Sequence, residues 1–223
     1  PVVMLFEDLH WADGGTIDFI DHVLDWTRDL PILIVTHPHR HPMAPLSFQD
    51  AQSDMRQAYL SGAPGVLVSG LVWLVAAAVA GGHSERAAVL ALLVGGAFIH
   101  PLAVLLTRAL GGSGRHAAGN PLARLAGEGT FWLLAGCAVA YGLHVLRIEW
   151  FFPAMLLTIG GRYLTFQTLY GLRLYWVCGA LLGLCGLGLA LLRAPVVTGA
   201  LAGAAIELVL AAVLFGQARR AAA

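Results

Sequence analysis

The run AAVLALLVGGAFIHPLAVLLT, Ala87 to Thr107, decides the fold class, because one histidine is the only ionisable group in its 21 residues. At 1.5 Å per residue such a helix spans about 31 Å, which matches a hydrocarbon core of about 30 Å. The run lacks the two-residue alternation of a strand, and backbone N–H and C=O groups cannot stay unpaired in lipid. A transmembrane helix is the conformation that satisfies both conditions.

The same pattern repeats on both sides. Apolar segments of about 20 residues run over Ala63–Gly81, Ala126–Leu146, Trp150–Tyr170, Leu174–Leu192 and Pro195–Phe215, making six spans in all. The expected fold is therefore an all-α polytopic membrane protein with six transmembrane helices, preceded by a short truncated α/β fragment. Composition agrees, since 58% of the 223 residues are hydrophobic and 12% are charged, against roughly 25% charged in a soluble domain. The net charge of zero argues against nucleic acid as a partner. Cys137, Cys178 and Cys185 all fall in apolar runs and read as packing residues, not as a disulfide framework.

All thirteen basic residues are arginine, and they orient the spans. Arg56, Arg108, Arg115, Arg124, Arg173, Arg219 and Arg220 fall on one side, against Arg86, Arg147 and Arg193 on the other. That asymmetry is expected to place both termini in the cytoplasm. The Gly-rich basic loop Ala109–Asn120 belongs to the same side. Ahead of the first span, Phe48 to Leu60 has the spacing of an amphipathic surface helix with Asp50, Asp54 and Arg56 on its polar side. Gly179/Gly183 and Gly199/Gly203 have the four-residue spacing of close helix contacts, which predicts packing of span five against span six.

Ionisable groups at membrane depth are costly and are turned inward, paired or functional. His100, Arg162 and Glu207 stand 13, 12 and 12 residues into spans that run in one direction, so their axial heights nearly coincide. Glu128 enters from the opposite end. The functional reading is a buried polar cluster of His100, Arg162, Glu207 and Glu128, with Arg162 holding an anion, Glu207 as counter-ion and His100 accepting a proton. The structural reading is an ion pair of Arg162 with Glu207 or Glu128 that locks the bundle. No catalytic residue, metal or cofactor is expected. The implied partners are membrane lipid, a small-molecule or ion cargo and a second copy of the chain.

The first forty residues differ in kind, since seven of the thirteen acidic residues lie there. Val2–Phe6 and Pro31–Thr36 read as strands around a helical stretch, Thr16–Arg28. The string FEDLHWAD, followed by LPILIVT, resembles the Walker B region and next core strand of STAND/AAA-type ATPase modules. The resemblance places Glu7 and Asp8 at the metal-binding and water-polarising positions. A P-loop lysine cannot be supplied, since the chain contains no lysine. Residues 1–42 are thus expected to be a truncated ATPase-like fragment and junction. The alternating His37, His39 and His41 fit a linker better than a metal site, having no cysteine or carboxylate beside them. Met43 opens the second unit, 43–223.

The segments AQSDMRQAYLSGAPGVLVSGLVWLVA, GGAFIHPLAVLLTR, GNPLARLAGEGTFWLL and EWFFPAMLLTIGGRYLTFQTLYGLRLYW resemble a bacterial family of small multi-pass integral membrane proteins without an assigned activity. That resemblance covers about 47–192 and implies a six-helix membrane fold. The expected function is a non-enzymatic inner-membrane protein, either a small transporter-like bundle or a scaffold. The alternatives are a membrane-anchored remnant of an ATPase regulator and an intramembrane enzyme.

Overall fold

The computed structural model describes residues 2–6, 19, 22, 23, 25, 26, 32–36 and 46–222, and the chain divides into two compact units, Pro1–Pro45 and Leu46–Ala223. In the first unit, β1 (Val2–Phe6) and β2 (Ile32–Thr36) pair in parallel, with Val2 opposite Ile32 and Phe6 opposite Thr36. Parallel strands require a crossover connection. Glu7, Asp8, His37, His39 and His41 lie outside the described residues.

The described part of the second unit is helical: α1 (Phe48–Tyr59), α2 (Ala63–Gly82), α3 (Glu85–Ala109), α4 (Leu122–Leu146), α5 (Phe151–Tyr170), α6 (Leu174–Leu191) and α7 (Val196–Ala222). Local chemistry sets the ends. Ser47 Oγ accepts from Asp50 N at the start of α1, and Ser84 Oγ accepts from Ala87 N at the start of α3, each at 3.2 Å, which supplies orphan amide groups with partners. Gly171, at φ 68°, ends α5 in the left-handed conformation that glycine adopts most easily. Pro101 sits inside a continuous α3.

Among the described residues, Phe48–Gly82, Glu85–Ala109, Leu122–Leu146, Leu174–Leu191 and Val196–Ala218 are long and apolar enough to cross a membrane. The expected fourth span, α5, has the length without the hydropathy, because Thr158, Arg162, Thr165, Gln167 and Thr168 interrupt it. Its position explains how it tolerates them. Helix α5 packs against α4 on one side and α6 on the other, with α1 and α7 also touching it. Half its residues are buried, Phe151, Phe152, Leu156 and Tyr163 among them. A helix sheathed by protein need not match lipid on every face.

The helices group as α3–α2–α7 and α4–α5–α6, each triple having its middle helix in contact with both flanking ones. Spans one, two and six therefore stand together, so the grouping does not follow chain order. The glycine spacing in α6 is used against α5, not against α7 as expected. A β-carbon at Gly160 would stand 2.7 Å from the Gly179 carbonyl and 3.0 Å from the Gly183 nitrogen. The α7 glycines serve other partners: Gly199 faces Phe152 and Gly203 faces the Trp73 ring of α2. Trp73 in turn lies 5.8 Å from Phe152, joining the two triples through aromatic packing.

Helix α1 is not a free amphipathic surface helix. Ala51, Met55 and Ala58 are buried on one face, while the polar face is drawn into the bundle as well. Gln52 Nε2 donates to Thr168 O at 2.8 Å and Arg56 Nη1 to Tyr170 O at 2.7 Å, satisfying carbonyls at the C-terminus of α5 with a cation at the negative end of the helix dipole. Asp54 Oδ2 accepts from Asn120 Nδ2 at 2.7 Å and from Ala117 N at 2.9 Å. Asn120, itself buried, also reaches Ala51 O and Leu122 N. The Gly-rich loop is thereby pinned beneath α1. Between α1 and α2 the backbone turns through three consecutive left-handed residues, Leu60, Ser61 and Gly62, with φ 50°, 56° and 80°. Two of them carry side chains, so the elbow is strained. Tyr175 holds it by donating its hydroxyl to Ser61 O at 2.7 Å.

Candidate functional site

Arg162 projects from α5 into a groove of about 710 Å³ between α4 and α5. Gly129, Gly136 and Gly161 open this groove, and at Gly136 a β-carbon would collide with Thr158. The guanidinium is half-buried. Its Nη1 donates to Gly129 O at 3.4 Å, which is long for a hydrogen bond. Its plane of charge lies 5.3 Å from the Phe166 ring, one turn along the same helix, an arrangement that stabilises a cation without neutralising it. Among the described residues, that one long bond is the sole intramolecular hydrogen bond of a group with five donors.

Among the described residues, no carboxylate pairs with Arg162. Glu128 lines the same groove but is exposed and forms no ion pair with it. Two threonines line the same groove and back-bond along α5: Thr158 Oγ1 donates to Ala154 O at 2.8 Å and Thr165 Oγ1 to Arg162 O at 2.7 Å. Beyond the charged end, the wall consists of apolar side chains such as Trp132, Leu133, Val139, Leu143 and Leu157.

Glu207 occupies a different place, fully buried where α7 meets α5 and α2. Tyr163 donates its hydroxyl to Glu207 Oε1 at 3.0 Å, and buried Ser69 of α2 stands beside the carboxylate. Oε2 nonetheless has no hydrogen-bond partner among the described residues. Tyr163 is the residue that the sequence reading missed. The expected cluster is thus not assembled: Arg162 and Glu207 share a height but not a direction. Successive helical residues are rotated by about 100°, so Tyr163 faces Glu207 while Arg162 faces α4. His100 is exposed on α3, among the exposed Phe98, Leu102 and Leu105, and joins neither group.

At the other end of α4, Arg147 and Glu149 form an exposed ion pair at 3.4 Å, and Arg147 lies 5.6 Å from the Trp150 ring. Among the described residues, no three His, Cys, Asp or Glu side chains converge as metal ligands do.

The chain matches the model of a family of unknown function, DUF7010, over residues 48–217. No curated protein and no solved structure matches it. The family match extends past the 47–192 of the sequence resemblance and takes in Glu207 as well as His100, Glu128 and Arg162. It leaves residues 1–47 outside and lends the Walker B resemblance of Glu7 and Asp8 no support. Because the matched region spans α1 to α6 and most of α7, the chain belongs to this family of unknown function, DUF7010.

Proposed function

We propose that the chain is a non-enzymatic integral protein of a bacterial inner membrane that binds a small anionic group at Arg162, in the manner of a small transporter-like bundle. The observation that carries this reading is a half-buried guanidinium that forms no ion pair among the described residues and opens on a groove. A scaffold would have its membrane-depth arginine paired and sealed, since an uncompensated charge there is worth roughly 2.5–3.5 kcal/mol even on insertion scales. Binding is favoured over catalysis because, apart from Arg162, Glu128 and two threonines, the described lining of the groove consists of apolar side chains and glycines. The arginine count supports a cytoplasmic α1 end, which carries Arg56, Arg108, Arg115, Arg124 and Arg173.

The experiment is a titration of purified full-length protein, in uncharged detergent, with hexyl phosphate, followed by thermal unfolding. A ligand that binds only the folded bundle raises the midpoint in a saturable way. We expect that rise for the natural protein, a reduced rise for Arg162→Lys, which keeps charge but loses the planar fork, and none for Arg162→Gln. An equal rise in Arg162→Gln, or no rise in the natural protein, overturns the reading.

A further inference from the structure

The α4–α5 groove holds charges of both signs that do not satisfy each other. Arg162 and Glu128 both line it, yet Arg162 forms its hydrogen bond with the Gly129 carbonyl and none with the neighbouring carboxylate. A purely anionic occupant would satisfy the arginine and leave the glutamate facing a like charge. An occupant with an anion and a cation a few bonds apart satisfies both.

The shape of the groove narrows the occupant further. Its wall on α4 runs from Leu125 to Leu143, and both charged side chains stand toward the Leu125 end. From Gly129, which marks the height of the guanidinium, fourteen residues of α4 continue to Leu143. At 1.5 Å per residue that is about 21 Å of wall. Trp132, Val139, Leu143 and Leu157 line this stretch, offering contact to an extended hydrocarbon chain. Charge at one end and an apolar track beyond it is the complement of an amphiphile.

We infer that this groove holds a zwitterionic phospholipid of the phosphoethanolamine type, with its phosphate on Arg162, its ammonium toward Glu128 and one acyl chain along the apolar wall. The inference rests on Arg162 being an anion site and adds the identity of the ligand. Arginine suits the phosphate because its donors form a planar fork, and Phe166 beneath the guanidinium holds that fork in place.

The test uses full-length protein in uncharged detergent, mixed with equal amounts of phosphatidylethanolamine and phosphatidylglycerol bearing identical acyl chains. Retained lipid is counted by native mass spectrometry. The natural protein should retain phosphatidylethanolamine over phosphatidylglycerol by roughly fivefold, the ratio given by the upper end for an exposed ion pair. Glu128→Gln should bring the ratio close to one while lipid stays bound, and Arg162→Gln should release both lipids. Val139→Trp, an exposed position on the wall, should expel both lipids yet leave hexyl phosphate binding intact. A ratio of one in the natural protein, a ratio unchanged by Glu128→Gln, or a lipid-free dimer occupying the groove each overturns the lipid assignment. If hexyl phosphate still binds through Arg162 in those cases, the anion site survives; if it does not, both readings fall.

Discussion

Replacing Gly160 by valine is expected to destroy the folded bundle, while the same change at Gly161, the next residue, leaves it intact. Gly160 lies where α5 and α6 meet backbone to backbone. A β-carbon there would sit 2.7 Å from the Gly179 carbonyl and 3.0 Å from the Gly183 nitrogen, with the Leu182 β-carbon at 3.3 Å. None of these atoms is the end of a flexible side chain, so relief requires the helices to separate. Separation would also loosen Gly186, whose contact with the Pro153 carbonyl is equally close. Overpacking of a side chain that can adjust costs about 1–3 kcal/mol, and this contact should exceed that range. Gly161 has no atom within 4 Å of its would-be β-carbon, and valine there also removes the entropy penalty of a helical glycine. Thermal unfolding of both variants in one detergent provides the comparison. Equal losses at the two positions would mean that α5 and α6 do not pack as described.

The second large effect concerns Tyr163 and Glu207. Tyr163→Phe removes the hydroxyl that donates to Oε1 of the sealed carboxylate, whose Oε2 already has no partner among the described residues. A buried polar group stripped of its partner costs about 1–3 kcal/mol, and more when it carries charge. The loss for Tyr163→Phe should therefore be about 3 kcal/mol. Glu207→Leu strands a neutral hydroxyl instead and should cost about 1 kcal/mol. The double variant replaces both partners by apolar groups and should regain most of the stability, because the two residues act as one unit. Simple addition of the two losses would show that the hydrogen bond contributes nothing.

The repeated apolar runs were enough to read the six long helices, because run length and the need to pair every backbone group leave one conformation. The ends shifted by a few residues, as when α4 began at Leu122 instead of Ala126. Helix contacts were less legible. The spacing of Gly179 and Gly183 shows that a helix approaches closely, but a motif on one surface does not name its partner, and the partner was α5. The polar cluster failed for a related reason. Counting residues fixes the height of Arg162, Glu207 and His100, whereas direction depends on how each helix is rotated. Tyr163 could have been noticed as the neighbour whose direction differs from that of Arg162. Helix α1 was recognisable as amphipathic, yet the fate of its polar face depended on Asn120 and the ends of α5, which are distant in sequence.

The central claim is that Arg162 forms no ion pair among the described residues and is held for a ligand. The most direct measurement is the unfolding free energy, without added ligand, of Arg162→Leu, Glu207→Leu and the two combined. If the claim holds, Arg162→Leu removes a desolvated, unpaired cation and leaves the bundle at least as stable as the natural protein, as expected where a residue is kept for function. The combined variant should then equal the sum of the singles to within about 0.5 kcal/mol, the limit for residues that share no contact. A loss of about 3–5 kcal/mol in Arg162→Leu, the range for breaking a buried ion pair, together with recovery in the combined variant, would contradict the account and restore a structural pair between Arg162 and Glu207.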